Sequence, residues 1–178
     1  MDDENLGNFF NADDFGDEEP HEDSWKPVKV FGNALFKKSI DILNLTESLC
    51  DVLPEDEFAD STKRMMLENA MLAPTKIKGA ISVDEVYSIV METAVIIKVN
   101  MVQLKAQLLA CSAIHGVEEK YLEVLRNEIE EFRKLFIQWV AAFDKTVDYP
   151  DEWHLFNDPL SFPDAETSNN PDDVEPET

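Results

Sequence analysis

The sequence predicts an all-α protein, an antiparallel up-and-down four-helix bundle carrying an acidic tail at each end. Apolar residues recur in steps of three and four through four consecutive segments, short turn-like stretches separate those segments, and the acidic excess gathers at the chain ends. At 178 residues the chain is long enough to bury one core without disulfide or metal staples.

The formal net charge of -23 is unevenly spread. Residues 1–25 hold ten acidic side chains and no Lys or Arg, and residues 147–178 hold another ten, again with no Lys or Arg. The intervening chain carries eighteen acidic and all fifteen basic residues, so it is close to neutral. The expected division is a tail over residues 1–25, a bundle over residues 26–147 and a second tail over residues 148–178. Both tails are rich in Asp, Glu and Asn and have too little apolar surface to offset ordering entropy, so disorder is expected in them.

The first helix is expected from about Asn33 to Leu53, with Leu35, Phe36, Ile42, Leu43, Leu49, Cys50 and Leu53 on its apolar side and Pro54 just past its end. Asp56 to Ser61 read as a turn in which Asp60 or Ser61 caps the second helix. That helix continues through Met65, Met66, Ala70, Met71 and Ile77, with a kink or break expected at Pro74, whose ring removes an amide donor and crowds the preceding turn. The third helix is expected to open on the capping box Ser82-Val83-Asp84-Glu85 and to run to His115, with Gly116 as a left-handed stop. Its seam reads Val86, Val90, Thr93, Ile97, Met101, Leu104, Leu108 and Cys111. The fourth helix places Leu122, Leu125, Ile129, Phe132, Phe136, Trp139 and Phe143 in alternating steps of three and four, the stripe of a bundle helix. Asn100 and Gln107 fall near the third seam, where a buried amide would specify register or oligomer state.

Catalytic chemistry finds no constellation. Cys50 and Cys111 lack zinc spacing and an electropositive neighbour in sequence, and both fall on apolar stripes. His21, His115 and His154 do not supply the Glu-x-x-His pairs of a di-iron bundle. The expectation is a non-enzyme without cofactor or metal. The acidic start at Met1-Asp2-Asp3-Glu4 and the absence of a run of about 18 apolar residues lead to an expected cytoplasmic location with no membrane partner.

Two groups of residues suit interactions. Lys37, Lys38, Lys63, Arg64, Lys76 and Lys78, on the first two helices, would form a basic face for nucleic acid or for the acidic tails, or an ordinary solvated surface. Phe9, Phe10 and Phe15, with Trp25, and Trp153 and Phe156 in the second tail, are set among acids like short segments that fold on a partner. Solubilising tails are the plainer alternative.

The order of parts over roughly residues 31–145 resembles the small bacterial four-helix proteins encoded in intervening sequences of 23S ribosomal RNA genes. The shared features are an amphipathic first helix, an acidic turn over Pro54 to Asp60, a second helix carrying a proline, and two long closing helices. Where that family carries a Ser-Ile-Pro-x-Asn-Ile-Ala-Glu-Gly segment, this chain has Leu72-Ala73-Pro74-Thr75-Lys76-Ile77-Lys78-Gly79-Ala80. The proline and isoleucine coincide, while Lys76, Gly79 and Ala80 replace the Asn, Glu and Gly. The resemblance implies a homo-oligomer, since relatives are ring-like pentamers, one of them a basic retroelement accessory protein that engages a reverse transcriptase and nucleic acid. Together these readings lead to the expectation of a self-associating scaffold or adaptor for a protein partner, with a nucleic-acid-binding accessory factor as the alternative.

Overall fold

The computed structural model describes residues 26–82, 86–149, 153, 155 and 156. Four helices fill it: α1 over Pro27–Asp51, α2 over Glu57–Ser82, α3 over Tyr87–Ala113 and α4 over Glu119–Ala141. The acidic residues 1–25 and most of the chain beyond Tyr149 lie outside the described residues, and with them the expectation of disordered tails.

The helices alternate in direction. Thr62 Oγ1, near the start of α2, lies 3.0 Å from His115 Nε2 beyond the end of α3. At the opposite pole, a Cβ placed on Gly32 would meet Ile81 near the end of α2 and Trp139 near the end of α4. The same pole gathers the start of α3, where the Tyr87 N–H donates to the Val147 carbonyl at 3.0 Å. This is an antiparallel bundle, with α1 packed closely along α2 and α4, and α2 along α3.

The expected seams of α1 and α4 are buried almost throughout. Leu35, Ile42 and Leu43 of α1 and Leu122 and Trp139 of α4 are wholly inaccessible. Phe132, Phe136, Trp139 and Phe143 form a ladder with successive ring centroids 6.1, 6.0 and 4.8 Å apart, the last pair meeting edge to face. Two buried hydroxyls of α1 are satisfied inside their own helix, Ser39 donating to the Phe36 carbonyl at 2.6 Å and Thr46 to the Ile42 carbonyl at 2.7 Å.

Several local expectations are corrected. Helix α1 begins six residues before Asn33, with Pro27 in its first turn, where the missing amide costs no helical bond. The cap of α2 is Asp56, whose Oδ1 accepts from the Ala59 N–H at 2.8 Å, so the helix starts ahead of Asp60 and Ser61. Pro74 does not end α2, which continues unbroken to Ser82. The lost donor is one bond in a long helix, and Ala73, Pro74 and Ile77 are buried there, so packing overrides the local penalty. Met65 is 42% exposed, whereas its neighbour Met66 is inaccessible. Ser82 closes α2, its Oγ donating to the Lys78 carbonyl at 3.1 Å, and so does not cap α3. The start of α3 is held from elsewhere: the Ser88 N–H donates to Asp148 Oδ1 at 3.0 Å and the Ser88 hydroxyl to the Tyr149 carbonyl at 3.2 Å. The bundle therefore includes residues 148 and 149. Gly116 takes a φ of 64° past the end of α3, as a left-handed stop requires.

Candidate functional site

Helix α3 differs from its neighbours in carrying apolar residues on more than one face. Its core seam, Val90, Ala94, Ile97, Met101, Leu104, Leu108 and Cys111, is buried, with Ala94 in place of the expected Thr93. A second set in alternating steps of four and three, Val95, Val99, Val102, Ala106 and Leu109, runs about 150° around the helix from that seam. All five are exposed, Val102 at 59% and Leu109 at 65%. By length and composition α3 is also apolar enough to cross a membrane, a property it shares with core helices of bundles.

This second seam borders the weakest junction of the bundle. Helices α3 and α4 make far less close contact than the other adjacent pairs, and a groove of about 420 Å³ opens between them. From α3 it is lined by Lys98, Met101, Val102 and Lys105. From α4 it is lined by Ile129, Glu130, Phe132, Arg133, Phe136 and Ile137. The floor is apolar and the rim holds three cations and one carboxylate. The Arg133 guanidinium grips Glu130 through two oxygens, with Nε at 3.0 and 2.9 Å and Nη2 at 2.6 Å. Those hydrogen bonds hold the Glu130 carboxyl below its ordinary pKa, with Lys105 and Lys134 acting in the same direction. Neither Lys98 nor Lys105 forms an ion pair among the described residues.

The basic residues expected on α1 and α2 do not converge on one spot. Lys38 reaches across to α4, its Nζ 2.7 Å from Glu128 Oε2, and that hydrogen bond raises the lysine pKa. Lys63 stands 3.9 Å from Asp60 and Arg64 3.9 Å from Glu68. Lys37 and Lys78 are exposed and Lys76 is half-buried. Lys63 and Arg64 are separated from Lys76 and Lys78 by about 20 Å along α2. Of the aromatic candidates, Trp153 is 88% exposed and Phe156 half-buried, while Phe9, Phe10 and Phe15 lie outside the described residues. Asn100 donates to the Ile96 carbonyl on its own helix at 2.8 Å, and Gln107 has a buried Oε1 without a hydrogen-bond partner among the described residues.

The cysteines sit in the core. Burial pushes the Cys50 thiol up to about 12 and raises that of Cys111, whose Sγ lies 3.4 Å from Met66 Sδ. Neither thiol is expected to react with iodoacetamide in the native protein at pH 8, and both are expected to react in denaturant, as read by intact mass. Because folding favours the neutral thiol, its contribution to stability is fully present below the ordinary thiol range and is lost as pH rises from about 9 towards 12. The urea midpoint should therefore fall across that alkaline window.

No protein-family model, curated protein or solved structure matches this chain. The second seam of α3 and the α3/α4 groove, neither anticipated from sequence, are therefore the features on which a functional reading stands.

Proposed function

We propose that this chain is a non-enzymatic, cytoplasmic helical scaffold or adaptor that self-associates through the second seam of α3 and displays the rest of its surface to a protein partner. The observation that carries this reading is the exposed heptad Val95, Val99, Val102, Ala106 and Leu109. A sustained four-three spacing is the pattern that lets one helix interdigitate with a second of the same kind, and an apolar stripe left in water favours burial against another copy. The family resemblance adds a ring near five chains as the expected stoichiometry. The nucleic-acid alternative has less support, because Lys38, Lys63 and Arg64 each stand within 4 Å of a carboxylate and the basic residues of α2 lie towards opposite ends of that helix.

Light scattering on a sizing column tests it. The full-length chain should elute as a discrete multimer, and the double variant Val99→Glu/Leu109→Glu, which alters two exposed positions outside the groove, should elute as a monomer with unchanged helical circular dichroism. A monomeric wild type at tens of micromolar (about the range used for such columns) would remove self-association.

A further inference from the structure

We propose that the groove between α3 and α4 seats the chain's own N-terminal segment, residues 1–25, with two of its phenylalanine rings on the apolar floor and its carboxylates against the cationic rim. This goes beyond self-association, because the groove and the outer seam of α3 are different surfaces that share only Val102.

Three observations select that occupant. The first is charge. Lys98, Lys105 and Arg133 outnumber the single rim carboxylate of Glu130, while residues 1–25 carry ten acids and no Lys or Arg. A second copy pairing groove to groove would set like charges face to face, since an isologous contact places the same patch on both sides. The second is volume. A cavity of about 150 Å³ holds one benzene ring, so the 420 Å³ of the groove has room for about two rings. Phe9, Phe10 and Phe15 supply them.

The third is reach. Lys26, the first described residue, immediately precedes α1, whose first turns lie beside the end of α4, a Cβ on Gly32 standing 3.1 Å from Trp139 Nε1. Ile137 and Ile129 lie about 6 and 18 Å back along α4 from its end at Ala141. Phe15 stands eleven positions and Phe10 sixteen positions before Lys26, enough to span roughly 36 and 53 Å when extended. The segment can therefore cover the whole groove. The second tail is a weaker fit, because Val147, Asp148 and Tyr149 are tied to the start of α3 and the next described apolar residues, Trp153 and Leu155, are exposed outside the groove.

The test uses the full-length chain with the photoreactive residue p-benzoylphenylalanine at position 10. On illumination its adducts should map to Met101, Val102 or Ile137 by peptide mass spectrometry. The yield should fall several-fold when Lys98→Glu and Lys105→Glu are introduced together, both rim positions being exposed. Mixing with isotopically heavy chains should show the adduct within one chain. It should persist in the Val99→Glu/Leu109→Glu background, so that loss of self-association and loss of docking are read separately. Adducts scattered over the surface, light–heavy adducts in the statistical share of an interchain crosslink, or a yield untouched by the charge reversal with helicity intact would each overturn the proposal.

Discussion

Trp139→Ala is expected to lower the unfolding free energy by about 3–5 kcal/mol, the range for truncating a buried large aromatic. Trp139 is the largest wholly buried side chain, and its ring joins Phe136 to Phe143 in the ladder of α4. Truncation removes the middle of that ladder at the pole where α1, α2 and α4 meet. One effect works the other way. The indole Nε1 is buried without a hydrogen-bond partner among the described residues, and an unmet donor costs about 1–3 kcal/mol. Trp139→Phe deletes the donor while keeping a ring, so its loss should be clearly smaller than that of the alanine variant. Urea unfolding followed by far-ultraviolet circular dichroism reads both. An alanine midpoint equal to wild type would remove Trp139 from the core, and a phenylalanine variant as weak as alanine would show that the orphan donor carries no penalty.

Gly32→Leu is the second large effect, expected to cost about 1–3 kcal/mol or more through overpacking. A Cβ at that position would stand 2.8 Å from Ile81 Cγ1 and 3.1 Å from Trp139 Nε1, so the added side chain must push two helix ends outward. The usual gain from replacing a helical glycine, about 1 kcal/mol, is too small to compensate. Gly79 provides the control. Nothing lies within 4 Å of a Cβ built there, so Gly79→Ala should match or exceed wild-type stability. If both substitutions behaved alike in urea, close approach at Gly32 would not be what that glycine serves.

Gly32 explains why the start of α1 was hidden in the sequence. Gly32 reads as a breaker by propensity, and only the neighbouring ends of α2 and α4 reveal that its missing side chain is a packing requirement. The same holds for Pro74, whose local penalty is visible in sequence while the burial that outweighs it is not. By contrast, the stripes of α1 and α4 were legible because strict three-four spacing leaves one choice of inward face, and their residues are buried almost as expected. The second seam of α3 was also written in the sequence, at Val95, Val99, Val102, Ala106 and Leu109. A helix with two apolar stripes does not say which of them faces inward, and the weak contact between α3 and α4 is a tertiary fact. The grouping of the cations around the groove is hidden for the same reason: Lys98 and Lys105 belong to α3 and Arg133 to α4, and only the packing of the two helices puts them around one opening.

The bonds at the head of α3 bear on where this protein can be cut. Residue 86 offers α3 no side-chain cap, and the carboxylate that meets its first turn arrives from Asp148, sixty residues onward. A negative group at a helix start stabilises the free amides and the positive end of the dipole. A protease nick or an expression boundary placed between Asp144 and Val147 would therefore do more than trim an acidic tail. It would release the clasp formed by Val147, Asp148 and Tyr149, uncap a helix distant in sequence, and loosen the bundle along its already open side.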